Sequence, residues 1–155
     1  MGRVQLEIAA IAIQLPAARP LVPVGAAMVI LDRDEDEILH AVENGALGWA
    51  WDIATPGAER RELRVWRDSI VTLATMAKPE LLEAEEVMAR IVPPGPIRSP
   101  QLQRLLSCSS THVHSLIDAG VFDVEQGPGA PSGPQSYTLL RRSSVIRFLR
   151  GRRVC

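Results

Sequence analysis

The sequence predicts a mainly α-helical chain with small β-hairpins, built from two tandem copies of one helix-turn-helix-hairpin unit joined by a helical linker. Three observations predict it. Apolar, capping and glycine positions recur at a constant offset of 75 residues. In each copy a glycine ends the second helix and a short strand-like stretch follows. The charge changes sign at the proline-rich run Pro93–Pro96: residues 1–95 carry 9 Lys/Arg against 15 Asp/Glu, whereas residues 96–155 carry 8 Arg against 3 acids.

The repeat is positional. Ile30 and Leu31 match Leu105 and Leu106, Asp34 matches Ser109, Ile38 matches Val113, and Val42 matches Ile117. Gly45 matches Gly120, Leu47 matches Phe122, Asp68 matches Ser143, and Ile70 matches Val145. In both copies an apolar helix ends at the Ile-Leu or Leu-Leu pair. After a short turn, Asp34 or Ser109 caps the next helix by accepting from the free amides of its first turn. Ile38, Ala41 and Val42, like Val113, Leu116 and Ile117, fall at i, i+3 and i+4, so one stripe of each second helix faces a core. Gly45 and Gly120 suit the left-handed residue after a helix end.

Leu47, Trp49, Trp51 and Ile53 alternate with smaller or polar residues, which predicts a strand whose partner is Arg61–Arg67. The second copy predicts strands at Val121–Gln126 and Ser136–Leu140 around the loop Gly127–Gln135. Closing helices follow at Ser69–Ala77 and Ser144–Arg150, capped by Asp68 and Ser143, and Pro79–Ile91 reads as a connecting helix. The expected organisation is an extended arm over 1–20, a first unit over 21–78, a helical and proline-rich linker over 79–96 and a second unit over 97–155. In the arm, Val4, Leu6, Ile8, Ile11 and Ile13 alternate as in a strand that pairs with another subunit, giving a candidate oligomer interface and a homodimer.

Residues 97–153, with Leu105, Leu106, Ser109, Val113, Leu116, Ile117 and Gly120 and the closing Ile146, Phe148 and Leu149, resemble the excisionase and MerR-like winged helix-turn-helix family. Residues 21–77 resemble it more weakly. The resemblance implies tandem winged helix-turn-helix units, a wing at 127–135 and duplex DNA as partner.

The residues argue the same way by their chemistry. A second-copy helix with Ser109, Ser110, Thr111, His112, His114 and Ser115 on its first turns and outer face brings hydroxyls and imidazoles to base edges or phosphates. Arg98, Arg104, Arg141, Arg142 and Arg147 supply phosphate contacts, and Ser136 and Tyr137 stand at the return of the wing. The matching first-copy helix begins Asp34-Glu35-Asp36-Glu37, which phosphates repel. Arg60, Arg61, Arg64 and Arg67 remain available there for backbone contact.

Other classes are set aside. Cys108, His112 and His114 lack zinc spacing, no Walker loop, G-x-S-x-G or H-E-x-x-H motif occurs, and the acidic run is not a calcium loop, so no cofactor, metal or enzymatic activity is expected. No apolar run reaches the roughly 18–20 residues of a spanning helix. Two cysteines and no recognisable signal peptide fit a cytoplasmic protein without membrane contact. The expected function is sequence-specific double-stranded DNA binding, as a transcriptional regulator or an excisionase-like architectural factor in DNA recombination. The alternative is a protein-interaction adaptor or accessory subunit of a DNA-processing complex, with a recombinase or other protein as partner.

Overall fold

Three short strands and three helices recur in the same order on either side of one linking helix. The computed structural model describes residues 19–125 and 138–154. The first half runs β1 (Leu21–Pro23), α1 (Val24–Leu31), α2 (Glu35–Glu43), β2 (Ala50–Asp52), β3 (Leu63–Trp66) and α3 (Arg67–Ala74). After α4 (Ala84–Ile91) the second half runs β4 (Ile97–Arg98), α5 (Ser99–Leu106), α6 (Ser110–Asp118), β5 (Val124–Glu125), β6 (Leu139–Leu140) and α7 (Arg142–Gly151). The described residues thus form a mixed α/β chain with seven helices and two antiparallel three-stranded sheets, ordered β1-β3-β2 and β4-β6-β5. No described helix is long and apolar enough to cross a membrane.

Local hydrogen bonds repeat at the offset of 75 residues. The Asp34 carboxylate accepts from Glu37 N at 2.8 Å and Ser109 Oγ accepts from His112 N at 3.1 Å, as both caps require. Asp32 and Ser107 close α1 and α5 in left-handed conformation, at φ 51° and 49°. Gly45 and Gly120 follow α2 and α6 at φ 82° and 76°, a region that a side chain makes costly. Ser69 Oγ donates to Trp66 O at 2.7 Å, and Ser144 Oγ to Arg141 O at 2.8 Å.

Five expectations are corrected. Asp68 and Ser143 are not caps: Trp66 and Arg141 hold those positions with no side-chain cap bond, and the next serine bonds back to their carbonyls instead. The connecting helix starts at Ala84, not Pro79. The Leu47–Ile53 strand shrinks to Ala50–Asp52 because Trp49 sits at φ 71°, which interrupts the alternation. That residue also breaks the offset: Trp66 N donates to Trp49 O while Arg141 N donates to Asp123 O, so β2 and β5 are related by 74 residues. In the second copy the described parts of the expected hairpin strands are Val124–Glu125 and Leu139–Leu140, with Ile97–Arg98 as a third strand that the sequence did not suggest. The arm residues Val4, Leu6, Ile8, Ile11 and Ile13, the wing loop, Ser136 and Tyr137 lie outside the described residues.

The first sheet is buried on both faces. Val22, Ala50 and Val65 pack with Ile30, Leu31, Ile38, Val42 and Ile70 beneath α1–α3. Leu21, Trp51 and Trp66 point the other way, into a core shared with α4 and with Leu102, Leu106, Leu116, Leu140 and Leu149 of the second half. At roughly 25 cal/mol per Å² of apolar surface removed from water, this shared core holds the halves together. The chain beyond α7 adds to the same sheet: Asp52 N donates to Arg152 O and Val154 N to Ala50 O, each at 2.9 Å, around an antiparallel bridge between Trp51 and Arg153. The Arg153 guanidinium lies 3.6 Å over the Trp49 ring.

Candidate nucleic-acid interface

The candidate surface is built on α6 because its two edges differ. Val113 and Leu116 are buried and anchor the helix, while Ser110, Thr111, His114 and Asp118 are exposed and Ser115 is half-buried. The outward groups are partly committed. His114 Nδ1 lies 2.7 Å from Ser110 O, so that nitrogen carries the proton and Nε2 of the neutral ring is an acceptor. Ser115 Oγ donates to Thr111 O at 3.0 Å and keeps its acceptor capacity. The exposed α6 face therefore offers the Ser110 and Thr111 hydroxyls, an imidazole acceptor and the Thr111 methyl group.

His112 belongs to a different contact. It is half-buried, with Nε2 2.7 Å from Ile53 O and 3.4 Å from the Glu62 carboxylate, so it ties the first turn of α6 to the first half instead of facing solvent. Beside it the turn between α5 and α6 is held by Arg64, only 7% exposed. Arg64 Nε donates to Leu106 O at 2.8 Å and its terminal nitrogens to Ser107 O and Leu63 O at 2.9 Å, with Glu62 3.2 Å away. Ser107 Oγ donates to Leu21 O at 2.7 Å. Arg64 satisfies carbonyls that the end of α5 leaves without intrahelical partners. The sequence groups it with surface arginines because strand alternation turns it away from the face of Leu63 and Val65; what buries it is the second half covering the opposite face of the sheet.

The remaining arginines divide by what they touch. Arg142 donates to Pro93 O at 3.0 Å and Val92 O at 3.2 Å, fastening α7 to the linker. Arg98, Arg104, Arg141 and Arg147 are exposed. Arg147 stands 3.5 Å from Asp123 and Arg150 3.8 Å from Glu85, both solvent-exposed pairs that anionic competitors displace at small cost. Arg142, Ser143, Ile146, Arg147 and Arg150 line an open groove of about 590 Å³ along α7. Arg60 and Arg61 are exposed, while Arg67 pairs with Asp68 at 3.5 Å.

Cys108 is half-buried beside Arg64 and Glu62; burial pushes its thiol up from 9.0 to about 11, with Arg64 opposing and Glu62 adding. The thiol is thus held in its protonated form at neutral pH. Among the described residues no three His, Cys, Asp or Glu side chains gather as metal donors. Asp34, Glu35, Asp36 and Glu37 at the start of α2 are all exposed.

Comparison with protein-family models, with curated proteins and with solved structures returned no match.

Proposed function

We propose that this chain is a sequence-specific double-stranded DNA-binding protein, made of two winged helix-turn-helix units of the excisionase and MerR-like kind, with α6 as the groove-reading helix. It acts in transcription regulation or as an architectural factor in recombination. The observation that carries this reading is the exposed face of α6, where Ser110, Thr111 and His114 stand clear of the chain while Val113 and Leu116 are anchored. A helix with small donors and acceptors on its first two turns matches the depth and edge chemistry of a major groove. Exposed Arg104 on the preceding helix and Arg141 at the start of α7 are the candidates for phosphate contact.

The first half serves as the brace. His112, Ser107 and Leu106 meet its strands, which fixes the turn and the entry of α6 before any duplex arrives. Selection from random duplexes at two salt concentrations tests the reading: a recovered motif whose binding weakens steeply with salt supports it, and recovery of no motif at either salt rejects it. A second reading, a protein-interaction adaptor, is favoured by the exposed acidic turn of α2, and it predicts a stable protein complex with no salt-sensitive duplex affinity.

A further inference from the structure

A cavity of about 430 Å³ lies between the start of α3 and the linker, a volume in the range of small-molecule sites. Trp49 and Trp66 line it on the side of the first sheet, and residues 77–80 of the linker line it opposite the start of α3. The internal repeat shows that the fold does not require these indoles. Trp66 N donates to Trp49 O in the first half and Arg141 N donates to Asp123 O in the second, so Arg141 and Asp123 hold the two equivalent places. Where the second half carries two charged side chains, the first carries two aromatic ones that share a cavity. Trp49 keeps its place at φ 71°, a costly conformation for a residue with a side chain and one that clusters at ligand sites. The Arg153 guanidinium backs one face of its ring at 3.6 Å.

The polar groups of the cavity set the charge of its occupant. Both acids are already engaged: Arg90 lies 3.0 Å from Glu80 and 4.0 Å from Asp68, and Arg67 lies 3.5 Å from Asp68. Two carboxylates thus face two guanidiniums. Lys78 is exposed and, among the described residues, has no carboxylate partner. Trp66 adds a second unanswered group. Its indole N–H has no acceptor among the described residues and is not sealed away, although the residue is only 5% exposed, so the donor is left for what the cavity holds. An ammonium and an indole N–H both call for an anionic oxygen, and the aromatic wall calls for a flat ring.

We propose that this cavity binds a small planar aromatic carboxylate, its ring packed against Trp49 and its carboxylate accepting from the Trp66 indole N–H and the Lys78 ammonium. A cationic aromatic is disfavoured, because Lys78 stands without a counter-charge and Arg90 and Arg153 lie close by. The inference does not rest on DNA binding and gives the acidic first half a ligand of its own.

The test is titration of the full chain with naphthoate, and with uncharged naphthamide, by calorimetry and by the indole N–H resonances of the three tryptophans. Naphthoate binds one to one at sub-millimolar concentration, shifts the Trp49 and Trp66 signals and leaves that of Trp51, which does not line the cavity, in place. Naphthamide binds about tenfold more weakly. Lys78→Glu, at an exposed position, weakens naphthoate about tenfold and leaves naphthamide unchanged. Gly48 lines the cavity, and an added Cβ there meets only Gly45 O at 3.9 Å, so Gly48→Leu fills the space and removes binding of both compounds while an unchanged circular-dichroism melt shows that it is folded. Lys78→Glu is decisive whether or not Gly48→Leu folds. No naphthoate binding, equal affinity for acid and amide, a Lys78→Glu variant that binds naphthoate like wild type, or a folded Gly48→Leu variant that still binds it overturns the proposal.

Discussion

Arg64 in β3 caps the helix that ends at Leu106: its Nε reaches the Leu106 carbonyl at 2.8 Å, and a second guanidinium nitrogen reaches the Ser107 carbonyl at 2.9 Å. A side chain from the first half thereby completes the turn on which α6 is mounted. Arg64→Ala removes the donors and leaves two carbonyls in a water-poor site, which costs about 2–4 kcal/mol in urea unfolding. Arg64→Lys recovers only part of that loss, because an ammonium cannot reproduce the planar fork. Equal stability of the alanine variant and wild type would show that the carbonyls find other partners.

Ser109→Ala and Asp34→Ala remove caps of the same geometry in the two halves, so both lower the unfolding free energy by about 1 kcal/mol. Chemical denaturation of the two single variants checks the equivalence. A much larger loss from one of them contradicts the matched roles.

Gly120→Ala and Gly45→Ala test the left-handed helix ends. An added Cβ meets nothing within 4 Å at either position, so the cost is the backbone conformation alone, about 1 kcal/mol in each case. Thermal melts that leave either variant as stable as wild type contradict this.

Stability falls as pH rises through the Cys108 titration. Burial raises the folded thiol from its ordinary value of 9.0 to about 11, so between these values the folded state holds a proton that the unfolded state has released. The contribution is complete below pH 9 and is lost progressively on approaching pH 11. Unfolding of wild type and Cys108→Ala is compared from pH 7 to 11: this part of the decline is present in wild type and absent from the variant.

On duplex DNA, Arg104→Ala and Arg141→Ala weaken binding to all sequences and each reduces the salt slope by about 1. Thr111→Ala and His114→Ala lose about 1–3 kcal/mol of discrimination at individual base pairs and leave the salt slope alone. His112→Ala loosens the junction with Ile53 and Glu62, and is therefore detected by hydrogen exchange in α6 before any change in base preference. Fluorescence anisotropy against a selected site and its single-base variants separates the classes.

The parts legible in the sequence are those decided within a few residues. The caps Asp34 and Ser109, the stops Gly45 and Gly120, and the buried stripes of α2 and α6 follow from local chemistry, and the offset of 75 residues ties them together. The parts that escaped depend on distant partners. Arg64, His112 and Arg142 have exposed-looking sequence neighbourhoods, yet their hydrogen bonds reach Leu106, Ile53 and Pro93, and no local rule distinguishes them from Arg98 or Arg104. Trp49 escaped for another reason: alternation predicts a regular strand, and its left-handed backbone answers to packing against Arg153 and Trp66, not to its sequence neighbours.

The bonds from Arg152 and Val154 to Asp52 and Ala50 mean that the older part of the molecule, in order of synthesis, lacks one edge until the younger part is in place. Such a closure links positions about a hundred residues apart in sequence, the kind of pairing that forms late and slowly. Neither half is then a free-standing module to be cut out and grafted elsewhere: a fragment ending at the linker would present bare strand edge and bare tryptophan to solvent, and would clump before it could act.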